Sequence, residues 1–298
     1  MRIRFDNVDP NSHSGPNSFG RKLIGGLRRL GHDVSTNLYD CDVQLSFIQT
    51  VNKAAPKTAL RLDGIYFNTK QKWEDMNRPI LESYQAADSV VFQTYFNKSL
   101  SEKYFGVHAN SIVINNGTDF EEISKIAPVS HPRLDKYEEL WCCSSSWRPH
   151  KRLKANIEYY FSNRPKGTGL VILGENPDHV VDHPDVMYAG RQSWETCISI
   201  YKRCKKFIHL AFLDHCPNVV VDARASGCEL VVASSGGTRE VAGPATVIHD
   251  IEWDLRPLDL YSPPQLDYSK SFTNDVESSI DINAIATRYA EHLGKLIQ

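Results

Sequence analysis

The stretch Asp214-His-Cys-Pro-Asn-Val-Val-Val-Asp222-Ala-Arg-Ala-Ser-Gly227 decides how the whole chain is read. Two carboxylates stand eight positions apart, one just before a Pro-Asn turn and one inside the apolar run after it. The turn puts Asp214 and the amides around Pro217 and Asn218 at the mouth of a helix. Unpaired N–H groups and a positive partial charge there favour a phosphate. An acid one to two turns further in, Asp222, can accept hydrogen bonds from ribose hydroxyls. The competing reading is a pair of surface acids near a helix start, where acids are common.

Two neighbouring stretches bear on that choice. Ser144-Ser-Ser-Trp-Arg148-Pro-His-Lys151-Arg-Leu153 follows an expected strand and opens an expected helix. Arg148 offers a planar fork to phosphate oxygens and Lys151 a compact point charge. Cations at a helix start oppose the macrodipole unless an anion sits there, so this local conflict favours an anion site. Ser234-Ser-Gly236-Gly237-Thr238-Arg-Glu240 again closes a strand with glycines and begins a helix.

Outward from these motifs, short apolar strands alternate with helical patterns, as in parallel sheets covered on both faces. In the first half the strands are Met1–Asp6, His32–Ser35, Asp42–Phe47, Thr58–Leu62, Ser89–Gln93 and Ser111–Ile114. Phe19, Leu23, Leu27 and Leu30 mark a helix with Gly31 at its end, and a second helix covers Tyr95–Phe105. The pattern breaks near Pro128, His131 and Pro132, a linker, and restarts with strand Glu138–Cys143 and helix Lys151–Phe161. Strands Leu170–Leu173, Val186–Tyr188, Phe207–Leu210 and Glu229–Ala233 follow, with helices over Trp194–Lys202 and from Asn218. Asp250 to Asp275 has no regular period and reads as an extended crossing segment. Ile282, Ile285, Ala286, Tyr289 and Leu293 mark a closing amphipathic helix. The expected domains are 1–133, 134–280 and a C-terminal helix, 281–298, crossing back to the first. A cleft at the domain junction is the expected place for a small molecule.

With these three stretches in this order and spacing, the chain resembles the retaining nucleotide-sugar glycosyltransferases of family four (glycosyl transferases group 1). These are α/β proteins of GT-B architecture, with two Rossmann-like parallel-sheet domains facing across a cleft. Asp214 and Asp222 carry the spacing of the family's E-x7-E motif. Arg148 and Lys151 match the pair that grips the donor diphosphate, and Gly236 and Gly237 match the turn near the transferred sugar. Arg61-Leu-Asp63-Gly64, Ala87–Phe92 and Val113–Gly117 also look like family segments, so the resemblance covers most of residues 1–245. It implies transfer from a UDP- or GDP-linked sugar to an acceptor hydroxyl of a glycan, protein-glycan or lipid. It also implies retention of configuration without an essential metal or cofactor, the cations standing in place of Mg2+. Pro217, Asn218 and Asp222 would bind the donor, with Asp214 close to its sugar. Gly190 and Arg191 are the candidates for the nucleobase edge. Asp63, ending a strand in the acceptor-side domain, is the candidate for orienting the acceptor hydroxyl, with an Asx-turn acid as its alternative. His13 is the other polar candidate there, and His150 and His215 flank the phosphate motifs.

Two departures stand out. Both motif glutamates are aspartates, which shortens each reach by one methylene, about 1.5 Å. Retained activity then requires a closer backbone or a bridging water. Ser14-Gly15-Pro16 replaces the glycine pair usual after the first strand, leaving Gly15 to face the diphosphate.

Composition narrows the alternatives. The 298 residues carry 34 basic and 36 acidic side chains, so no global positive field draws the chain to nucleic acid. No apolar run reaches the roughly 18 residues of a membrane span, and none near Met1 resembles a signal peptide. Seven cysteines without a CxxC pair argue against a zinc site or a disulfide framework and for a reducing, cytoplasmic setting. Arg21, Lys22, Arg28 and Arg29 give the first helix a basic face, either solvated or set against an anionic lipid surface. A Rossmann oxidoreductase or epimerase would need GxGxxG after the first strand, and Asn7–Gly20 has none. A catalytically inactive nucleotide-sugar-binding relative is the other alternative, raised by the two aspartates.

Overall fold

The computed structural model describes residues 1–12, 14–37 and 39–298; His13 lies outside the described residues. The chain divides into two compact units. Unit 1 comprises Met1–Asp119, Asp254–Leu258 and Ser278–Gln298; unit 2 comprises Phe120–Trp253 and Asp259–Glu277.

Unit 1 begins with β1 (Arg2–Asp6), α1 (Gly15–Arg29), β2 (Asp33–Ser35), β3 (Val43–Phe47) and β4 (Thr58–Leu62). It continues with α2 (Trp73–Ala86), β5 (Ser89–Phe92), α3 (Tyr95–Phe105) and β6 (Ser111–Val113). The strands form one parallel sheet in the order β2-β1-β3-β4-β5-β6. β3, β4 and β5 are buried along their whole lengths, which explains their continuous rather than alternating apolar character.

Unit 2 opens with α4 (Phe120–Lys125), α5 (Pro132–Asp135) and β7 (Glu139–Ser144). A 3-10 turn (Pro149–Lys151) then leads to α6 (Leu153–Asn163), β8 (Thr168–Leu173), β9 (Val186–Gly190) and α7 (Trp194–Arg203). Next come β10 (Lys206–His209), α8 (Asn218–Ala225), β11 (Glu229–Ala233), α9 (Thr238–Ala242), β12 (Ala245–His249) and β13 (Asp267–Asn274). The seven-stranded sheet runs β13-β12-β11-β10-β7-β8-β9 and is parallel except for the antiparallel edge strand β13. The sequence boundary at 133/134 falls inside this unit. Lys202 of α7 donates to the Ile126 carbonyl at 2.6 Å and Ser199 to that of Ala127 at 2.7 Å, so the segment after Asp119 is tied to unit 2.

The last helix, α10 (Ile282–Gly294), buries Ile282, Ile285, Ala286, Tyr289 and Leu293 in the unit 1 core with Phe19, Leu23 and Leu27 of α1. A Cβ on Gly26 would lie 2.8 Å from that of Ala286, so this helix crossing depends on the glycine. Leu30, counted into the α1 stripe from its spacing, lies past the helix end and is exposed. The unpatterned 250–275 stretch contains a strand after all: β13 pairs with β12, but its two faces are largely exposed, so no alternation marks it. Among the described residues, no helix is long and apolar enough to cross a membrane.

Candidate functional site

In an open parallel sheet, ligands bind beyond the carboxyl ends of the strands where the strand order reverses. In unit 2 that point lies between β7 and β10, which are adjacent although the chain has passed through β8 and β9. The loop after β7 carries Arg148 and Lys151, and the loop after β10 carries Asp214. The reversal therefore brings together two motifs that lie 63 residues apart at Lys151 and Asp214.

Lys151 Nζ lies 2.5 Å from Asp214 Oδ2, with both side chains mostly buried. His209, the last residue of β10, places Nε2 3.0 Å from the same oxygen. Burial works against the Asp214 charge, but the Lys151 ammonium and the His209 N–H outweigh it and hold the carboxyl well below its usual range. Burial lowers His209 despite the carboxylate, and it pushes His150 down to about 3 and His215 to about 4. These imidazoles are neutral, so Lys151 and Asp214 are the charged pair at the centre of the cluster. Neither motif acid is a surface acid, which removes the competing reading: Asp222 is 5% exposed and accepts the Trp194 indole N–H at 3.0 Å.

The glycine turn closes on the same place. Gly237 donates to the Asp214 carbonyl at 2.8 Å. Gly236 has φ of 76°, and a Cβ there would stand 2.5 Å from that carbonyl oxygen. Only a glycine permits both the conformation and the approach. α8 starts at Asn218 with Pro217 as its cap residue, so the helix mouth lies directly after the Asp214 loop.

One expectation is corrected in detail. Arg148 and Lys151 do not sit in the first turn of α6. Lys151 ends the 3-10 turn, and Arg152, left-handed at φ 53°, separates it from the helix. The reason is a buried pair absent from the sequence reading. Arg152 Nη1 and Nη2 donate to Asp250 Oδ2 and Oδ1 at 2.7 and 3.2 Å, and Ser235 Oγ donates to Oδ2 at 2.6 Å. Ser235 Oγ also accepts the Leu213 amide at 3.3 Å, and Leu213 is left-handed at φ 54°. Each charged residue of the central pair thus has a strained neighbour held by one buried network. Such outliers persist only where surrounding contacts over-determine them. Arg148 is exposed and makes no ion pair with any described residue. Gly190, left-handed at φ 66°, ends β9, and Arg191 follows it, exposed and 3.6 Å from Glu175.

In unit 1, Gly15 is the first residue of α1. Asp63 follows β4 and is held by the fully buried Arg61 and by Gln93, both donating to Oδ1. Its Oδ2 is buried without a hydrogen-bond partner among the described residues, and burial raises the carboxyl above its usual range despite Arg61. Asp63 is therefore part of a buried network rather than an Asx-turn acid. The basic face of α1 is largely occupied internally. Arg21 binds the Pro10 and Ser12 carbonyls, Arg28 that of Val34, and Arg29 pairs with Asp119 at 2.9 Å.

No family model matches the sequence, and no curated protein matches it. Solved structures do match over the whole length, and they are glycosyltransferases of GT-B fold, which is the fold of this chain. HepE of Anabaena, in complex with UDP-glucose, is 13% identical with a TM-score of 0.69, covering 99% of this chain and 100% of that one. Sucrose-phosphate synthase of Thermosynechococcus elongatus is 12% identical with a TM-score of 0.68, covering 99% of each. AviGT4, involved in avilamycin A biosynthesis, is 14% identical with a TM-score of 0.60, covering 100% of this chain and 98% of that one.

Proposed function

We propose that the protein is a glycosyltransferase that moves a sugar from a UDP- or GDP-linked donor to an acceptor hydroxyl with retention of anomeric configuration and without a metal. The observation that carries this reading is the Lys151–Asp214 pair at the β7/β10 reversal, beside a helix mouth and a glycine turn. The bound UDP-glucose of HepE, on the same fold, adds support.

Asp222 takes the ribose, Gly190 and Arg191 the base edge, and Gly236 and Gly237 line the transferred sugar. The α8 amides at Asn218, with Arg148 and Lys151, take the diphosphate. Because Lys151 is already paired with Asp214, Arg148 brings the uncompensated positive charge. As the anomeric C–O bond breaks, charge builds on the leaving diphosphate. Cations that act more strongly on that charge than on the ground state accelerate the step. An oxygen of the leaving phosphate takes the proton of the acceptor hydroxyl, which attacks from the same face. In unit 1, Asp63, held by Arg61 and Gln93, is the group we assign to orienting that hydroxyl. The free state of all seven cysteines suits a cytoplasmic enzyme.

A ligand that binds only the folded state raises the unfolding midpoint with its affinity. A panel of UDP-, GDP- and ADP-sugars should therefore give a raised midpoint for at least one UDP- or GDP-sugar. Incubation with that donor should release the nucleoside diphosphate at a rate unchanged by EDTA. A flat panel refutes donor binding. A raised midpoint without release or transfer would identify an inactive nucleotide-sugar-binding relative, the reading that the closed Lys151–Asp214 pair would then favour. The anomeric proton coupling of the product decides retention.

A further inference from the structure

His209 has no part in the roles assigned so far, yet it is the only side chain besides Lys151 that holds the Asp214 carboxylate among the described residues. It sits at the carboxyl end of β10, 4% exposed, with its ring stacked on Phe207 at 17° between planes. Buried in this way, the ring is neutral. A neutral ring facing a carboxylate carries its proton on the nitrogen that faces it, so Nε2 donates and Nδ1 does not. The groups around it are Asp214 and Lys151, with His150 adjacent and itself neutral.

Both donors converge on a single oxygen. Lys151 Nζ and His209 Nε2 meet Oδ2 at 2.5 and 3.0 Å, and neither reaches Oδ1. With the lysine alone, the carboxylate could turn about its Cβ–Cγ bond and offer either oxygen. The second donor, fixed on a strand end, removes that freedom. We infer that His209 is a positioning residue that locks the Asp214 carboxylate, committing Oδ2 to Lys151 and leaving Oδ1 for hydroxyls of the donor sugar. The inference rests on the proposed donor site and adds to it the atom that reads the sugar and the residue that aims it.

The readout is the affinity that the sugar adds, the ratio of UDP to UDP-sugar dissociation constants (or GDP to GDP-sugar). His209→Phe keeps the ring stack and removes the N–H; His209→Gln keeps an N–H donor. A hydrogen bond to a charged group contributes about 1.5–3 kcal/mol, so His209→Phe should lower the sugar increment about tenfold or more. It should leave affinity for the bare nucleotide within about twofold, and His209→Gln should recover most of the loss. A merely structural role would weaken nucleotide and nucleotide-sugar together, and that result, or an unchanged increment, overturns the inference. A second arm needs no ligand. In 15N-histidine spectra of the free protein at pH 7 to 8, His209 should be the Nε2–H tautomer. An Nδ1–H tautomer, which leaves Nε2 without a proton to donate, overturns the inference even where donor binding is established. Failure of wild-type protein to bind any donor would instead refute the donor site, and the spectra would still decide the His209–Asp214 bond.

Discussion

Replacing Asp250 by Ala tests whether the buried network beneath the candidate site is what holds it in shape. The Asp250 side chain is fully buried and accepts from Arg152 twice, from Ser235 and from the Ile251 amide. Removing it leaves the Arg152 guanidinium with carbonyl oxygens only, those of Pro264 at 2.6 Å and Leu210 at 3.4 Å. Stripping one partner from a buried ion pair costs about 3–5 kcal/mol, chiefly because the other charge stays buried and uncompensated. At a urea slope of about 2 kcal/mol per molar, the midpoint should fall by about 1.5–2.5 M. Tryptophan fluorescence reads the right unit, since Trp141, Trp147, Trp194 and Trp253 lie in unit 2 and only Trp73 in unit 1. Ser235→Ala, which removes one neutral donor, should cost about 1 kcal/mol. Donor affinity should fall in both variants, because Arg152 and Leu213 hold left-handed backbone beside Lys151 and Asp214. A shift below about 0.5 M for Asp250→Ala, or one no larger than that of Ser235→Ala, would refute the argument that this pair supports the site.

Three further outcomes follow from the same geometry. Lys151→Ala should lower kcat by about 10^2–10^3-fold, the usual effect of removing one transition-state electrostatic contact, while relative rates with different donor sugars change little; an unchanged kcat rules out its role at the diphosphate. Gly236→Ala should destabilise the protein by about 1–3 kcal/mol and reduce donor binding, since its Cβ meets the Asp214 carbonyl at 2.5 Å; full stability in thermal melts would contradict the close approach. His150, near 3 in the folded chain against 6.5 unfolded, contributes stability above pH 6.5 that is lost as pH falls towards 3. The loss is about 2 kcal/mol by pH 5. His150→Phe, keeping the stack on Tyr261, should shrink the pH 7 to pH 5 stability difference by that amount, measured by urea unfolding; an equal difference in both proteins would refute it.

The alternation of strands and helices was readable because parallel strands buried on both faces appear as short apolar runs, as in Leu170–Leu173 and Glu229–Ala233. The 214–227 stretch was readable because its turn, helix start and acids are adjacent in the chain. What escaped was made by distance or lacked a pattern. α2 carries Pro79 in its interior and buries only Asn77, Ile80, Ser83 and Tyr84, so no apolar stripe announced it. β13 is an exposed edge. Arg152 looked like one more cation of a helix start, because nothing local shows that Asp250, far along the chain, pulls it out of the helix. His209 had a signal that went unused: a lone imidazole closing the buried strand Lys206-Phe-Ile-His209, five residues before an acid. A polar side chain at such a strand end requires a partner, and the acid after the turn supplies it.

The same supports explain how an aspartate can stand where the resembling family has glutamate. A side chain shorter by about 1.5 Å must either lose its contacts or have its backbone brought nearer to them. At Asp214 the backbone is gripped from several sides. Gly237 donates to its carbonyl, Gly236 packs against it closer than any Cβ would allow, and Leu213 before it is turned left-handed with its amide on Ser235. Phe212 donates to the His150 carbonyl at 2.7 Å, binding this loop to the turn that carries Lys151. With both loops tied together, the short carboxylate still meets Lys151 at 2.5 Å and His209 at 3.0 Å without a bridging water. At Asp222 the short side chain is instead met by Trp194 of the neighbouring helix. The two substitutions therefore have different consequences. The first is compensated by backbone within the loops themselves, whereas the second leaves an indole bonded to the carboxylate proposed for the ribose.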